Sequence, residues 1–181
     1  MLHENAWSPS YTFLPQLIRQ RGFRSGVEVG VAFGGHAEAI LEHSPLQILV
    51  GVDSYQHRPG YADMMNLQQE DFENVFWYAI GRLSRYGGRY AHLRMPSLEA
   101  PQHINFAPDF VYLDAEHSYD AAAMDIRAWA TKVRPGGVLA GHDYVPEFDG
   151  VRRAVNEFAA AGHLDLHVEP SFIWWLEMPG G

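Results

Sequence analysis

Ionisable side chains follow two runs of residues that have the composition of buried strands. Asp109–Asp114 leads into Glu116 and His117, and Val138–Gly141 leads into His142 and Asp143. Open α/β sheets bind ligands beyond the carboxyl ends of their strands, so we expect these two strand ends to lie side by side. Carboxylates and imidazoles that lie together hold divalent cations or move protons.

Asp114, His142 and Asp143 are the predicted metal ligands. Two carboxylates and one imidazole suit Mn²⁺, Fe²⁺ or Zn²⁺ better than Mg²⁺, which prefers oxygen ligands. A second interpretation needs no metal: His142 or His117 is the general base, since an imidazole titrates near neutral pH, and Asp143 is the third catalytic residue. A third interpretation is structural, with both aspartates capping helices and the histidines solvated.

A glycine-rich turn follows the first predicted strand. Its sequence from Glu28 to Gly35 is EVGVAFGG. Glycines let a backbone pass close to a ligand, and the N-terminus of the next helix can hold a carboxylate. Ala32 replaces the second glycine of the dinucleotide fingerprint, so the turn does not match that motif. We predict that Glu28, Gly30 and Gly34 bind a cofactor; the alternative is a glycine-rich turn with no function.

The second and third predicted strands add further cofactor candidates. Asp53 ends the second strand, and 53 − 30 places it 23 residues after Gly30. A carboxylate at this point can accept hydrogen bonds from both hydroxyls of a ribose. We assign Ser54 to the same site. Ser97 follows the third strand and either lines an adenine pocket or caps the next helix.

The pattern of strands and helices predicts how these residues are positioned. Apolar runs typical of short buried strands alternate with helical periodicity, which indicates a doubly wound sheet with helices on both faces. We expect seven strands in one domain over residues 1–181, with a C-terminal hairpin that adds an antiparallel strand. The predicted strands span 26–30, 48–53, 90–94, 109–114, 138–141, 163–169 and 172–177. The predicted helices span 10–21, 35–43, 63–86, 97–103, 120–133 and 150–161, and the last is capped by Asp149 and stopped by Gly162.

Composition excludes several classes of protein. The formal net charge of −9 disfavours a nucleic-acid surface, because phosphate binding needs basic charge. The absence of cysteine excludes disulfides and thiolate metal sites. Apolar runs are too short to cross a membrane, and the N-terminus lacks the pattern of a signal peptide. We therefore expect a cytoplasmic protein that acts on a small molecule and leave open a homodimer.

Four segments carry a resemblance to a known family. They are VEVGVAFGG at 27–35, GVD at 51–53, DFVYLDAEHSYDAAAMDIRAW at 109–129 and RPGGVLAGHDY at 134–144. Together they resemble class I S-adenosylmethionine-dependent methyltransferases. The chain is similar to the small group that includes macrocin-type sugar O-methyltransferases and relatives of cephalosporin-hydroxylase proteins.

The resemblance implies a role for each matching residue. Glu28 and Gly30 would contact the methionine part of S-adenosylmethionine, and Asp53 would hold the ribose hydroxyls. Met95, Pro96 and Ser97 would flank the adenine. Asp114 and Asp143 match positions that bind Mg²⁺ in metal-dependent members, and Asp114 is also assigned to the cofactor site. His142 departs from the family pattern, where an acidic residue is usual.

The predicted function is methyl transfer to a hydroxyl of a small molecule, with the proton taken by a histidine or released with the help of Mg²⁺ or Mn²⁺. Residues 55–88 and 144–150 are expected to bind the acceptor. Three alternatives remain: an inactive methyltransferase-like interaction module, an NAD-type oxidoreductase, and a metal-dependent hydrolase or hydroxylase.

Overall fold

A computed structural model describes residues 10–180. Its five helices are α1 (Ser10–Arg21), α2 (Gly35–His43), α3 (Gln69–Leu83), α4 (Tyr119–Ala130) and α5 (Asp149–Gly162). Its seven strands are β1 (Ser25–Val29), β2 (Ile48–Val52), β3 (Tyr90–Leu93), β4 (Phe110–Leu113), β5 (Val138–Gly141), β6 (His167–Val168) and β7 (Trp174–Glu177). Short 3₁₀ turns cover Ser84–Arg89, Ala100–His103 and Pro146–Phe148.

The strands form one seven-stranded sheet in the order β3-β2-β1-β4-β5-β7-β6. The first five strands of this order are parallel, and β7 is antiparallel to both β5 and β6. The predicted doubly wound sheet with an antiparallel C-terminal strand pair is therefore confirmed. The chain changes direction across the sheet between β1 and β4, which is where such sheets open a ligand crevice.

Alternate residues of the central strands pack on opposite faces. Val27, Val111 and Leu139 pack with α4 and α5 in one apolar cluster. Phe110, Tyr112 and their neighbours on that face pack with α1 and α2 in another. Because both faces are covered, the strands are nearly continuous apolar runs, as the sequence shows.

The largest departure from the predicted elements lies between β2 and α3. The predicted helix over 63–86 begins only at Gln69, and a 3₁₀ turn follows Leu83. Asp63 and Asn66 form hydrogen bonds with nearby backbone groups, which compete with a helix. Residues 53–68 are therefore an irregular segment.

The ends of two predicted elements near the C-terminus also shift. Asp149, the predicted cap, is the first residue of α5, and Gly162, the predicted stop, is its last residue, followed by His163 at φ +51°. The backbone N–H of Leu164 still bonds the carbonyl of Ala159. The predicted strand over 163–169 is therefore reduced to His167–Val168.

No helix in residues 10–180 combines the length and the apolar character needed to cross a membrane.

Asp109 connects the N-terminal ends of β1, β4 and β5. Its substitution therefore tests what this connection contributes to the stability of the fold. Its Oδ2 accepts hydrogen bonds from the backbone N–H groups of Arg24 and Ser25, and its Oδ1 accepts one from Arg134. Burial raises the pKa of Asp109, but these bonds outweigh it and hold the pKa below its usual value. A carboxyl with a lowered folded-state pKa stabilises the fold above its unfolded pKa of about 3.9.

We expect Asp109→Ala to lower the free energy of unfolding by about 2–3 kcal/mol at pH 7. The difference from wild type should shrink as the pH falls through the folded-state pKa, because the wild-type carboxyl is then protonated as well. Urea unfolding at a series of pH values measures both effects. The exposed residue Asp165 provides a control in Asp165→Ala. A pH-independent loss of stability in Asp109→Ala would contradict the account.

Candidate active site

The carboxyl ends of β1, β2 and β4 are tied together by their backbones at Gly30. The N–H of Gly30 donates to the carbonyl of Val52, and the N–H of Asp114 donates to the carbonyl of Val29. Gly30 adopts φ +89°, and a Cβ built on it would lie 1.8 Å from the carbonyl oxygen of Asp114. Only glycine fits here, because the backbone that follows β4 passes directly over it.

Asp53 shapes the glycine-rich turn. Its Oδ2 accepts the backbone N–H groups of Val31 and Ala32 at 3.0 Å each, and its Oδ1 accepts that of Tyr55 at 2.9 Å. The Tyr55 hydroxyl donates to the carbonyl of Ala32, which adopts φ +46°. Oδ1 accepts one of these bonds and retains a lone pair for a further donor, such as the predicted ribose hydroxyl.

Glu28 lies buried beneath the same turn. Its Oε1 is 2.6 Å from Nδ1 of His36, while Glu28 Oε2 and His36 Nε2 have no hydrogen-bond partner among residues 10–180. Burial raises the pKa of Glu28, although His36 opposes this. A buried acceptor without a partner can bind an ammonium group or a bridging water. This is compatible with the expectation that the methionine part of S-adenosylmethionine lies near Glu28.

Sequence reasoning missed two residues that surround Glu28. His36 falls within the predicted helix over 35–43 and Tyr11 within the predicted helix over 10–21, and neither is predicted as a site residue. The Tyr11 ring lies 5.3 Å from that of His36, and the His36 ring lies 4.3 Å from that of Tyr112. A histidine directly after the paired glycines was the available signal for His36.

Three further cofactor candidates occupy different surroundings. Gly34 adopts φ +74° immediately before α2. Ser54 lines a cavity of about 380 Å³ together with Gln56, His57, Gln69, Glu73 and Arg94. The hydroxyl of Ser97 donates to Asp125 at 2.5 Å and accepts from the Trp129 indole at 2.9 Å. The capping alternative for Ser97 is wrong, because the 3₁₀ turn after it has no side-chain cap.

Four ionisable residues meet where β4 and β5 end. Asp143 lies at the centre and adopts φ +62°. Its Oδ2 is 2.9 Å from Nε2 of His117, and its Oδ1 is 3.0 Å from Nδ1 of His142. Asp114 lines the same small cavity as these three residues. The predicted convergence of the two strand ends is therefore present in the fold.

The charges in this cluster shift each other's titration. Burial lowers the pKa of each histidine, but hydrogen bonds to Asp143 and the nearby carboxylate charges outweigh it, so both pKa values are raised. The imidazoles in turn hold the pKa of Asp143 below its usual value despite burial. Burial raises the pKa of Asp114 to about 6. These directions favour an ionised Asp143 at the centre of the cluster, whereas burial favours the protonated form of Asp114.

The residues that could hold a metal differ from the predicted set by one histidine. Ligand atoms of Asp114, His117 and Asp143 lie within 4.8 Å of one another, and this is the group that geometry favours within residues 10–180. The predicted ligand His142 is not in this group, and His117 takes its place, because it is the ligand atom of His117 that lies within this distance of both carboxylates. The donor types are unchanged and still suit Mn²⁺, Fe²⁺ or Zn²⁺ better than Mg²⁺.

The irregular segment after β2 reaches this cluster. The Tyr61 hydroxyl accepts the backbone N–H of His117 at 3.0 Å, and Asp63 Oδ2 lies 3.1 Å from Nδ1 of His117. Arg58 forms an ion pair with Glu116. The predicted helix over 63–86 covers part of this segment, and no motif in the sequence predicts these contacts.

The sheet order, the antiparallel last strands and the glycine-rich turn define a Rossmann-like methyltransferase fold. The O-methyltransferase TomG from Streptomyces achromogenes, solved in complex with S-adenosylmethionine, shares 17% identity at a TM-score of 0.69, over 97% of this chain and 82% of TomG. An O-methyltransferase from Bacillus cereus, solved with S-adenosylhomocysteine, shares 18% identity at a TM-score of 0.68, over 97% and 84%. The Podospora anserina methyltransferase PaMTH1 shares 14% identity at a TM-score of 0.67, over 96% and 79%.

A family model described as a methyltransferase domain matches residues 25–144. That range is more than half of the chain, so the chain belongs to this methyltransferase domain family. With the fold, the match identifies a class I methyltransferase that depends on S-adenosylmethionine, as the sequence resemblance implies. No curated protein sequence matches the chain.

Proposed function

We propose that the protein transfers a methyl group from S-adenosylmethionine to a hydroxyl oxygen of a small molecule. The observation that carries this proposal is the cluster of Asp114, His117, His142 and Asp143. It lies directly beside the glycine-rich turn, because Gly30 packs against the Asp114 backbone. A cofactor held by the turn would therefore present its methyl group near groups that can take a proton.

The cofactor is assigned to the residues around this turn. The predicted set is Glu28, Gly30, Gly34, Asp53, Ser54, Ser97 and Asp114. Support comes from the unpartnered Oε2 of Glu28, the free lone pair of Asp53 and the cavity beside Ser54. Ser97 has the weakest support, since its hydroxyl already bonds Asp125 and Trp129.

The protein's part in the reaction is to orient the acceptor and to take its proton. Bound S-adenosylmethionine supplies an electrophilic methyl group. The acceptor oxygen would form a bond to this carbon as the S–C bond breaks in line with it and S-adenosylhomocysteine leaves, and an imidazole of the cluster, His117 or His142, would take the hydroxyl proton. If Asp114, His117 and Asp143 hold a divalent cation, the cation would lower the pKa of the hydroxyl.

The acceptor is proposed to be a small molecule and not a nucleic acid, because a net charge of −9 repels phosphates. TomG acts in tomaymycin synthesis, which is compatible with a small-molecule acceptor here. A cytoplasmic location and a homodimer remain predictions.

Asp143→Asn tests the proposed proton transfer. The amide keeps the size of the carboxylate, and asparagine tolerates the positive φ of this position. The two imidazoles lose their shared negative partner, so we expect turnover to fall about 100-fold or more. S-adenosylhomocysteine affinity should change little.

The assay measures S-adenosylhomocysteine formation from S-adenosylmethionine with a panel of hydroxylated small molecules, with and without Mn²⁺. Asp165→Asn, at an exposed carboxylate outside the segments expected to bind the acceptor, is the matched control. Turnover of Asp143→Asn equal to wild type would contradict the role of the cluster. A panel in which amines and not hydroxyls are methylated would contradict oxygen as the nucleophile.

A further inference from the structure

Glu28 is buried in the middle of the sheet, on the face that packs with α1 and α2. It pairs in register with Gly51 of β2 and Tyr112 of β4, and its exposed fraction is 1%. Burial raises the pKa of Glu28, and the nearby charge of Asp53 adds to this effect. A carboxyl group in such surroundings favours its neutral form, which is a poor partner for an ammonium group.

His36 is the partner of Glu28 at the other end of the glycine-rich turn. It is the second residue of α2, which begins directly after Gly34 at φ +74°. Its Nδ1 lies 2.6 Å from Oε1 of Glu28. Because an ionised carboxylate has no proton to donate, Nδ1 is the donor in this bond. The bond lowers the pKa of Glu28 and so opposes the effect of burial.

The ring nitrogens of His36 have no other hydrogen-bond partner within residues 10–180. The ring contacts those of Tyr11 and Tyr112, at centroid distances of 5.3 Å and 4.3 Å. The residue is 7% exposed, and its Nε2 forms no hydrogen bond with the part of the chain that the structure describes. A phenylalanine could make the same ring contacts. The imidazole is therefore distinguished by its hydrogen bond to Glu28.

The second oxygen of Glu28 is left for a ligand. Oε1 contacts His36, whereas Oε2 is buried and has no hydrogen-bond partner among residues 10–180. Buried acceptors are nearly always paired in native proteins, so a bound donor is expected at Oε2. The bond to His36 fixes which of the two oxygens receives this donor and restricts the rotation of the carboxylate.

We propose that His36 is a positioning residue that holds Glu28 by its Nδ1–H, so that Oε2 of Glu28 accepts the ammonium group of S-adenosylmethionine. The inference rests on the proposed assignment of Glu28 to the methionine end of the cofactor, and it adds the role of His36. Without His36, the carboxyl of Glu28 can rotate and favours its neutral form. The protein then loses its preference for ligands that carry the amino-acid end.

The selectivity between two ligands measures this role without any methyl transfer. S-adenosylhomocysteine and 5′-methylthioadenosine share the adenosine and the sulfur, but only the first carries the amino-acid end. In calorimetric titrations, His36→Phe should lower the affinity for S-adenosylhomocysteine about 10–100-fold, because a hydrogen bond to a charged group is lost. Its affinity for 5′-methylthioadenosine should equal that of wild type, so the ratio of the two affinities should fall.

Further variants separate the hydrogen bond from the packing of the ring. His36→Asn places an amide N–H close to the position of Nδ1, so it should keep the wild-type ratio of the two affinities even if both affinities fall. His103→Phe, at an exposed histidine, should change neither affinity. If His36→Phe does not fold, His36→Leu, which also lacks a donor, takes its place with the same expected fall in the ratio.

A double-mutant cycle tests whether His36 acts through Glu28. Glu28→Gln removes the charged partner of the ammonium group and should itself lower the affinity for S-adenosylhomocysteine. In that background, His36→Phe should lower the affinity little further, because the two residues act as one unit. An equal fold loss in both backgrounds would overturn the proposal.

Other outcomes distinguish a failure of this inference from a failure of the proposed function. Equal losses for the two ligands in His36→Phe would indicate a purely structural role and overturn the inference, as would an unchanged affinity for S-adenosylhomocysteine. In both cases the wild type still binds S-adenosylhomocysteine, so the proposed function stands. If the wild type does not bind S-adenosylhomocysteine, the proposed function fails, and the inference fails with it.

Discussion

Gly30→Ala is expected to abolish binding of S-adenosylhomocysteine and to lower the free energy of unfolding by more than about 3 kcal/mol. A Cβ at this position would lie 1.8 Å from the carbonyl oxygen of Asp114. The residues that end β1 and β4 would have to separate, and the turn and the ionisable cluster are built on those ends. Calorimetric titration and urea unfolding measure the two effects.

Gly60→Ala is the control that measures the cost of positive φ without the steric clash expected at Gly30. Gly60 adopts φ +82°, close to the +89° of Gly30, but a Cβ built on Gly60 meets no atom within 4 Å. We expect this variant to lose about 1 kcal/mol and to bind S-adenosylhomocysteine. If Gly30→Ala is as stable as Gly60→Ala and binds equally well, the close approach of the two strand ends does not matter to the site.

Asp53→Ala is expected to weaken S-adenosylhomocysteine binding by about 100-fold or more. The variant leaves three backbone N–H groups of the turn without their acceptor, and each unsatisfied group costs about 1–3 kcal/mol. It also removes the proposed partner of the ribose hydroxyls. Both losses act on the cofactor end of the site, so S-adenosylmethionine should be affected equally.

Competition by adenosine distinguishes the proposed contact of Asp53 with the ribose from the role of Asp53 in shaping the turn. If Asp53 holds the ribose, Asp53→Ala should weaken competition by adenosine as well as by S-adenosylhomocysteine. Asp165→Ala serves as the exposed control. Unchanged affinity for both ligands in Asp53→Ala would remove Asp53 from the cofactor site, whatever its effect on stability.

The sequence determines the central sheet and the main ionisable cluster with little ambiguity. Strands such as Val138–Gly141 are continuous apolar runs between turn residues, and this pattern follows from burial on both faces. Asp114, His142 and Asp143 stand directly after such runs. Parallel strands align their carboxyl ends, so their proximity could be predicted.

Two kinds of feature could not be predicted from the sequence. The irregular segment over residues 53–68 depends on side chains that bond its own backbone, such as Asn66 with Arg58 and Tyr61, and this competition leaves no periodic pattern. The choice of His117 over His142 in the possible metal group depends on the orientation of each ring. The His117 ring contacts Asp63, which lies 54 residues away from His117 in the chain.

Calorimetric titration of wild-type protein with S-adenosylmethionine, beside a titration with NAD, tests the central claim most directly. The account predicts saturable one-to-one binding of S-adenosylmethionine and none of NAD, because Ala32 replaces the second glycine of the dinucleotide motif. Binding of NAD alone would indicate an oxidoreductase. Binding of neither ligand, by protein shown to be folded, would contradict a working methyltransferase site and favour an interaction module.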